Sequence, residues 1–191
     1  MSPVARAGYT PLATCSAASA ALARSYGAER TFAYTSPSCA ADVRAASASP
    51  LRYALDCIAD AESARTCYAA LGRTGGRYVS LELCKPEWKT RKAVKSEFVM
   101  GYEMFGKGVL LEGDYGRAPD EGKKERAVEW CRVMQGLVDE GKIRSHPVMV
   151  VEGGWEGVLE GLERLRRGEV RGEKLVVLVE GGVERGEGVR M

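Results

Sequence analysis

The sequence predicts an α/β fold with a mostly parallel, doubly wound sheet, and three observations support this prediction. Short apolar runs alternate with helix-like stretches between residues 9 and 82. The connections between them are only a few residues long, which is typical of right-handed crossovers between parallel strands. Hydrophobic residues make up 45% and charged residues 28% of the 191 positions, the composition of an ordinary globular chain.

The first part of the chain contains four predicted strands and three predicted helices. The strands cover residues 9–15, 30–34, 51–58 and 77–82, and the helices cover residues 16–26, 38–47 and 61–71. Gly27 and Gly72 stand where the first and third helices would end, a position that glycine favours. Asp60 directly precedes the third helix, where its carboxylate can cap the first turn.

The pattern changes after residue 82. Residues 84–95 are polar and mixed, and residues 98–111 (FVMGYEMFGKGVLL) are apolar and broken by glycine. The second segment fits either a pair of strands or a loop that lines a pocket. Apolar residues at helical spacing predict an amphipathic helix over residues 120–140. The remaining predicted elements are a strand, a helix and a buried strand, at residues 146–152, 154–167 and 174–179.

Charge and hydropathy exclude several classes of partner. The formal net charge is +2, which is too small to indicate nucleic acid or an acidic membrane. No apolar run has the length of a transmembrane helix. The first residues lack the apolar segment of a secretory signal, so a cytoplasmic location is expected.

The cysteines and the single histidine predict no metal site. None of the six cysteines forms a Cys-x-x-Cys pair or another ligand spacing, and scattered cysteines are expected to be small buried hydrophobic side chains. They are Cys15, Cys39, Cys57, Cys67, Cys84 and Cys131. His146 precedes a proline at the start of a predicted strand, and a surface position is favoured there over a role as general acid.

Several segments in a fixed order carry a resemblance to a known family. They are LATCS (12–16), YGAERTFAY (26–34), LRYALDCIADAESA (51–64), GRYVSLE (76–82), VMGYEMFG (99–106), EGKIRSHPV (140–148) and VRGEKLVV (170–177). As an ordered set, with GYEMFG the most specific, they resemble the medium-chain dehydrogenase/reductase superfamily. The resemblance is to its fungal trans-acting enoyl reductase branch, which serves polyketide synthases.

The resemblance also implies regions that this sequence does not contain. Family members begin with a GroES-like catalytic domain, and the first cofactor strand and its glycine-rich phosphate turn follow. No Gly-x-Gly-x-x-Gly motif occurs here, so the expected fold is an incomplete Rossmann-like domain with C-terminal elements of the medium-chain reductase fold. Its expected organisation is an unstructured start (1–8), a partial cofactor domain with a substrate-loop insertion (9–179) and a flexible tail (180–191).

The end of the first predicted strand indicates which nicotinamide cofactor is used. NAD-dependent enzymes place an acidic side chain there, which binds the ribose hydroxyls and repels a 2′-phosphate. This chain has no acid at that position and instead offers two hydroxyl groups, which favours NADP(H). Serine is also a common helix N-cap, and both roles can coexist. The residues concerned are Ser16, Ala17, Ala18 and Ser19.

Five further cofactor contacts are implied by the resemblance. Tyr34 would contact the adenine end, although a half-buried strand tyrosine is the alternative. Leu81 and Glu82 would lie near the nicotinamide, since ligands gather at the carboxyl ends of parallel strands; a solvated glutamate is the alternative. Val170 and Arg171 match a late cofactor-contacting position, where an isolated arginine can also be only a solvated turn residue.

The resemblance assigns a substrate-contacting stretch to the segment YEMFG. An acyl chain needs an apolar wall, which methionine and phenylalanine side chains can form. An apolar cluster at this spacing also fits a core or a subunit interface. The stretch comprises Tyr102, Glu103, Met104, Phe105 and Gly106.

The expected function is NADPH-dependent, zinc-independent reduction of an enoyl thioester that a polyketide synthase carries. No catalytic proton donor can be named from the sequence, and a monomer is favoured. The alternatives are a non-catalytic truncated paralogue or interaction remnant, and a quinone or alkenal reductase.

Overall fold

The computed structural model describes residues 3–47 and 49–179. The chain divides into two compact units, of which the first ends at Ile143 and the second begins at Arg144. The predicted flexible tail (180–191) lies outside the described residues.

A two-stranded parallel sheet lies near the start of the first unit. Helix α1 (Pro3–Arg6) forms one turn where the sequence predicts an unstructured start. Strand β1 (Leu12–Cys15) pairs in parallel with strand β2 (Arg30–Ala33). The connection contains helix α2 (Ala20–Ser25), as expected for a crossover between parallel strands.

A three-stranded parallel sheet follows, in the order β3–β4–β5. Helix α3 (Cys39–Ala46) precedes strand β3 (Tyr53–Asp56). Helix α4 (Ala61–Ala70) connects β3 to strand β4 (Gly76–Ser80). Strand β5 (Val94–Phe98) forms the outer edge beyond β4.

The predicted cap of helix α4 is confirmed in detail. The Asp60 carboxylate accepts hydrogen bonds from the backbone N–H groups of Glu62 (2.9 Å) and Ser63 (2.8 Å). The Ser63 hydroxyl in turn accepts the Asp60 N–H at 3.0 Å. This reciprocal capping box satisfies donors that the first helical turn leaves unpaired.

Two apolar clusters form the core of the first unit. One lies between α4 and the three-stranded sheet, where the rings of Tyr68 and Tyr78 are fully buried and 5.1 Å apart. The other joins α3 and α4 through Cys39, Val43 and Ala70, and partly buried side chains of the first sheet pack against it. Because both clusters involve α4, this helix connects the two sheets.

The segment after β5 is mostly a loop, which decides between the two sequence interpretations. It contains short 3₁₀ helices at Gly101–Phe105 and Gly113–Tyr115 and one isolated antiparallel bridge between Val109 and Arg117. Helix α5 (Glu121–Asp139) follows and packs against the first 3₁₀ helix. Most of the apolar side chains of α5 are exposed.

The second unit is a single strand–helix–strand crossover. Strands β6 (Val148–Val151) and β7 (Lys174–Val177) pair in parallel, and helix α6 (Gly154–Arg166) connects them. A Cβ atom at Gly157 would lie 2.3 Å from the Glu152 carbonyl oxygen, so the close approach of α6 requires glycine there. The exposed apolar side chains of α6 are Trp155, Leu159, Leu162 and Leu165.

The predicted parallel α/β architecture is confirmed, with several corrections. The seven strands form three separate parallel sheets within the described residues, not one continuous sheet. Strand β5 begins inside the segment interpreted as polar and mixed. The last strand, β7, is only partly buried. Cys57 and Cys131 are exposed, which differs from the burial expected of scattered cysteines, whereas Cys39 and Cys84 are buried.

Across residues 3–47 and 49–179, none of the helices combines the length and the apolar character needed to span a membrane.

Candidate functional site

The carboxyl end of β1 carries the two predicted cofactor hydroxyls in contact with each other. Ser16 caps a short 3₁₀ turn (Ala17–Ser19), and its Oγ accepts the Ser19 N–H at 3.3 Å. The same Oγ donates a 3.1 Å hydrogen bond to the Ser19 Oγ. Ala17 and Ala18 are exposed. The capping role of Ser16 is therefore present, and a hydroxyl pair lies beside two small, open positions.

Tyr34 lies at the same carboxyl end of the first sheet. It follows β2 directly, its N–H donates to the Cys15 carbonyl at 3.4 Å, and its ring is about half exposed. A shallow pocket of about 80 Å³ opens beside this edge, between the end of β1 and β2. Its lining residues are Cys15, Ser16, Ala17, Ala20, Thr31, Phe32 and Ala33.

A buried carboxylate shapes the turn that ends β3. Asp56 is 4% exposed, and its Oδ1 accepts the backbone N–H groups of Ile58 (3.0 Å) and Ala59 (2.9 Å). Its Oδ2 accepts the hydroxyls of Ser63 and Tyr78, each at 2.8 Å. Ala59 has a positive φ of 58°, an uncommon conformation for a residue with a side chain. The four hydrogen bonds to Asp56 hold this turn.

The end of β4 carries Leu81 and Glu82, as the sequence predicts. The Leu81 N–H donates to the Asp56 carbonyl at 3.1 Å, and the Leu81 side chain is half exposed. The exposed Glu82 carboxylate accepts the Tyr115 hydroxyl and the Leu83 N–H, each at 2.7 Å. These two donors lower the pKa of Glu82, with the Tyr115 hydroxyl the larger cause.

A chain of contacts connects the end of β4 with the substrate-loop segment. The Tyr115 ring, hydrogen-bonded to Glu82, meets the Phe98 ring edge-on at 5.9 Å. The Arg117 guanidinium lies over the Phe98 ring, 5.5 Å from its centre. Arg117 also approaches the Glu103 carboxylate at 3.5 Å. The ends of β4 and β5 and the loop therefore form one continuous surface.

The five predicted substrate-contacting residues divide into two groups. Tyr102, Met104 and Phe105 are exposed, at 64%, 43% and 58%. The Glu103 side chain is only 13% exposed and pairs with both Arg117 and Lys123. Gly106, with φ +71°, ends the 3₁₀ helix. The apolar side chains are thus available to a ligand, whereas Glu103 holds the loop against the start of α5.

Val170 and Arg171 lie in the loop between α6 and β7, within the second unit. Arg171 is exposed. Their contact with a cofactor stays a prediction.

No group of three or more histidine, cysteine, aspartate or glutamate side chains is arranged to hold a metal ion within the part of the chain that the structure describes. His146 is exposed and precedes β6 rather than starting it. A zinc-independent reaction stays a prediction.

The structure brings together some of the predicted site residues and separates others. The carboxyl end of the first sheet carries Ser16, Ser19 and Tyr34. The carboxyl end of the second sheet, with the loop that follows β5, carries Glu82 and the YEMFG stretch. Sequence reasoning missed Asp56, Tyr78, Tyr115 and Arg117. Asp56 could have been recognised from its position at the end of an apolar strand, because a carboxylate there can accept the N–H groups of a following turn. No sequence spacing reveals the Tyr115–Glu82 pair, which is 33 residues apart.

Comparison with curated proteins identifies several fungal relatives. The chain is 46% identical over 175 residues to a trans-enoyl reductase of Macrophomina phaseolina, covering 89% of this chain and 48% of that protein. It is 42% identical over 174 residues to the enoyl reductase component of lovastatin nonaketide synthase from Aspergillus terreus, covering 91% and 48%. The chain therefore spans about half the length of the curated relatives it matches. No family model matches it.

Two solved structures support the fold. The CurK enoyl reductase matches with a TM-score of 0.63 at 16% identity, over 92% of this chain and 49% of that one. The CurF enoyl reductase-type cyclopropanase of the curacin A pathway matches with a TM-score of 0.62 at 18% identity, over 88% and 46%. At 42–46% identity, the chain is similar to fungal trans-enoyl reductases over about half of their length, and it shares the fold of part of the solved enoyl reductases.

Proposed function

We propose that this chain forms the cofactor-binding part of an NADPH-dependent enoyl reductase. Such an enzyme reduces the carbon–carbon double bond of an enoyl thioester. The observation that carries the proposal is the similarity to proteins named trans-enoyl reductases, at 42–46% identity over about nine tenths of this chain. The site geometry supports the same conclusion through three features: the hydroxyl pair after β1, the ends of β3 and β4, and the exposed apolar loop.

The hydroxyl pair fits the adenosine end of NADP(H). Ser16 and Ser19 bond to each other at 3.1 Å and stand beside two alanines with open surroundings. No carboxylate lies among residues 16–19 to repel a 2′-phosphate. Helix α2 has only six residues, so hydroxyl hydrogen bonds, not a helix dipole, are the basis of this assignment. Tyr34 at the same edge supplies a ring for the adenine.

The ends of β3 and β4 fit the nicotinamide end. Ligands of parallel sheets bind outside the carboxyl ends of the strands, which is where Leu81 and Glu82 stand. The fixed turn after Asp56 provides a rigid neighbour for them. Val170 and Arg171, in the second unit, are proposed separately as cofactor contacts, because the exposed Arg171 guanidinium is available to a phosphate oxygen.

The exposed loop fits an acyl chain. Tyr102, Met104 and Phe105 offer apolar surface, and methionine adapts to chains of different shape. Glu103 does not contact the substrate in this proposal. Its ion pairs with Arg117 and Lys123 instead keep the loop in place.

A nicotinamide held by these residues would supply a hydride to the β-carbon of the enoyl thioester, and a proton delivered to the α-carbon would complete the reduction. The residues of this chain orient the cofactor and the acyl group, and the apolar loop excludes water from between them. The proposed partner is a polyketide synthase that carries the acyl thioester, and the proposed location is the cytoplasm. No metal is required, because hydride transfer to an enoyl group needs only stabilisation of the developing enolate oxygen.

Replacement of Ser16 tests the cofactor assignment without disturbing the cap. Aspartate and asparagine cap helices as well as serine does, but only aspartate adds a negative charge. NADPH and NADH fluorescence titrations compare wild type, Ser16→Asp and Ser16→Asn, alone and mixed with the half of the Macrophomina phaseolina reductase that this chain does not match. Ser16→Asp is expected to weaken NADPH binding at least about tenfold, through like-charge repulsion, and Ser16→Asn by less than about threefold.

Two results decide against the proposal. Absence of NADPH binding up to millimolar concentration, with and without the second polypeptide, supports a non-catalytic remnant. Equal NADPH affinity of the aspartate and asparagine variants removes Ser16 from the cofactor site. NADPH oxidation with quinones or alkenals, but not with enoyl thioesters, would indicate the alternative function, a quinone or alkenal reductase.

A further inference from the structure

The amino end of the three-stranded sheet is strongly basic. Residues 43–53 lead into β3, residues 70–77 lead into β4, and residues 88–95 lead into β5. Because the three strands are parallel, these segments lie at the same end of the sheet. Each segment carries at least two lysine or arginine residues, and none carries an aspartate or glutamate. The formal net charge of the whole chain is only +2, so positive charge is concentrated at this end.

A cavity of about 340 Å³ opens at this end, between the end of α3, the segment before β3 and the end of α4. Its volume is within the range of about 300–1,000 Å³ that is typical of small-molecule sites. Leu51 and Ala70 contribute half-buried and buried apolar surface to this amino-end cavity. Arg44, Ser49 and Arg73, which also line it, are exposed. The cavity therefore combines apolar surface with cationic and hydroxyl side chains.

Backbone contacts fix the shape of the amino-end cavity. The Gly72 N–H donates to the Leu51 carbonyl at 2.9 Å, and a Cβ atom at Gly72 would lie 2.8 Å from the Pro50 Cβ. The segment before β3 therefore packs directly against the turn after α4. The Ser47 hydroxyl donates to the Arg44 carbonyl at 2.8 Å, at the end of α3. A cavity formed in advance reduces the entropy that a ligand loses on binding.

The two arginines of the cavity have no ion pair or hydrogen bond through their guanidinium groups within residues 3–47 and 49–179. Basic side chains near a helix C-terminus often serve only to neutralise the helix dipole. At α4 that role belongs to Arg91, whose guanidinium donates to four carbonyl oxygens there. Arg73 is therefore left for another partner, and the carbonyl oxygens that would repel an anion are already bound.

We propose that the amino-end cavity binds the phosphoryl group of a phosphate ester between the guanidinium groups of Arg44 and Arg73. Guanidinium groups present paired N–H donors that match the spacing of phosphate oxygens. The Ser49 hydroxyl, which has no hydrogen bond to another described residue, adds a third donor. The apolar surface of Leu51 and Ala70 receives the uncharged part of the ester.

The amino-end cavity is distinct from the proposed cofactor site. Ser16, Tyr34 and Glu82 follow the carboxyl ends of their strands, whereas the cavity lies before β3. A strand of four residues, such as β3, spans about 13 Å. The rings of Tyr9, before β1, and Tyr53, at the start of β3, meet with centroids 5.4 Å apart, so the amino ends of the two sheets adjoin each other. Binding in the cavity therefore does not require the proposed reductase activity.

Titration of the full 191-residue chain tests the proposal. Isothermal titration calorimetry at low ionic strength compares pantetheine 4′-phosphate, adenosine 5′-monophosphate, inorganic phosphate and unphosphorylated pantetheine. The two esters distinguish a carrier-protein arm from a nucleotide as the source of the phosphoryl group. We expect at least one ester to bind with a dissociation constant below about 1 mM, at least about tenfold tighter than pantetheine. Amide NMR should show the largest shifts at Ser49, Gly72 and Arg73.

Arginine variants connect the affinity to the cavity. Arg44→Gln and Arg73→Gln each remove one exposed charge and should weaken ester binding at least about fivefold. The corresponding lysine variants keep the charge but lose the planar fork, so they should recover only part of the affinity. Arg65→Gln is the matched control, because it removes an exposed arginine of α4 that does not line the cavity. It should leave the dissociation constant within about twofold, because solvent and salt screen an exposed charge.

Four results overturn the proposal: neither ester binds at millimolar concentration, inorganic phosphate binds as tightly as both esters, Arg65→Gln weakens binding as much as Arg44→Gln and Arg73→Gln, or the amide shifts fall at Ser16 and Tyr34. The last result would place the ester at the proposed cofactor site. Circular dichroism of each variant shows whether lost binding reflects lost folding, in which case the lysine variants decide. Ser16→Asp should leave ester binding in the cavity unchanged, so failure of the cofactor assignment and failure of this proposal are distinguishable.

Discussion

The Tyr78 hydroxyl donates a 2.8 Å hydrogen bond to the Asp56 carboxylate, and both side chains are buried. The bond joins the middle of β4 to the last residue of β3. It lies directly beneath the turn that faces the proposed nicotinamide position. Because Asp56 also accepts two backbone N–H groups of that turn, one buried carboxylate connects the packing of the sheet with the shape of the site.

Replacing Tyr78 with phenylalanine should lower the free energy of unfolding by about 1–3 kcal/mol, because a buried charged acceptor loses one of its donors. Urea unfolding monitored by circular dichroism measures the change. Tyr53→Phe is the control, since that tyrosine is 56% exposed, and it should change stability by less than about 0.5 kcal/mol. Equal effects of the two variants would show that the Asp56 contact contributes nothing.

Stability should also fall at alkaline pH because of Tyr78. Burial, followed by the hydrogen bond to Asp56, raises the pKa of Tyr78 in the folded state. The associated stability is therefore fully present below the unfolded tyrosine pKa of about 10 and is lost as the pH rises above that value. Urea unfolding between pH 8 and 11 should show this decline, and Tyr78→Phe should make it shallower. A slope unchanged in the variant would contradict the assignment.

Arg91 should be a major contributor to the stability of the first unit. Its guanidinium donates to four carbonyl oxygens at the end of α4: those of Tyr68 (2.8 Å), Leu71 (3.0 Å), Gly72 (2.6 Å) and Arg73 (3.1 Å). Arg91→Ala leaves these acceptors without their charged donor, and the expected loss is at least about 2 kcal/mol in urea unfolding.

Two comparisons make the Arg91 measurement specific. Arg91→Lys should recover less than half of the loss, because a compact ammonium cannot reproduce the planar fork of donors. Arg65→Ala removes only an exposed ion pair with Glu62 and should cost less than about 0.5 kcal/mol. Full recovery by lysine would mean that charge alone, and not donor geometry, matters here.

Gly106 should be required for the conformation of the substrate loop. Its φ is +71°, and a Cβ atom there would lie 3.0 Å from the Lys124 Cβ. Gly106→Ala should therefore lower stability by at least about 1 kcal/mol and speed amide exchange across the loop. Gly101→Ala, in the same 3₁₀ helix, meets no atom within 4 Å and should be nearly neutral. Indistinguishable variants would show that the left-handed turn is not needed.

The sequence predicts elements well where one local interaction decides them. Helix α4 begins after Asp60 as expected, because the capping box lies within four consecutive residues. Strand β5 was missed because its sequence, VKSEF, alternates charged residues with the inward-facing Val94, Ser96 and Phe98. A strand at the outer edge of a sheet tolerates that pattern, so composition alone obscures it.

Long-range features of the site could not be predicted. Glu82 and Tyr115 meet only because the loop after β5 folds back over the end of β4. The position of Glu103 depends on Arg117 and Lys123, which follow it by 14 and 20 residues. The separation of the first two sheets likewise has no local signal, since β1 and β3 each have an ordinary strand sequence.

The most direct test of the proposed function is oxidation of NADPH by the chain combined with the unmatched half of the Macrophomina phaseolina reductase, in the presence and absence of an enoyl thioester. Thioester-dependent NADPH oxidation is expected, with Ser16→Asp shifting the preference toward NADH and Ser16→Asn leaving it unchanged. Binding of NADPH by the mixture without any thioester-dependent oxidation of NADPH would contradict the assignment of this chain as part of an enoyl reductase.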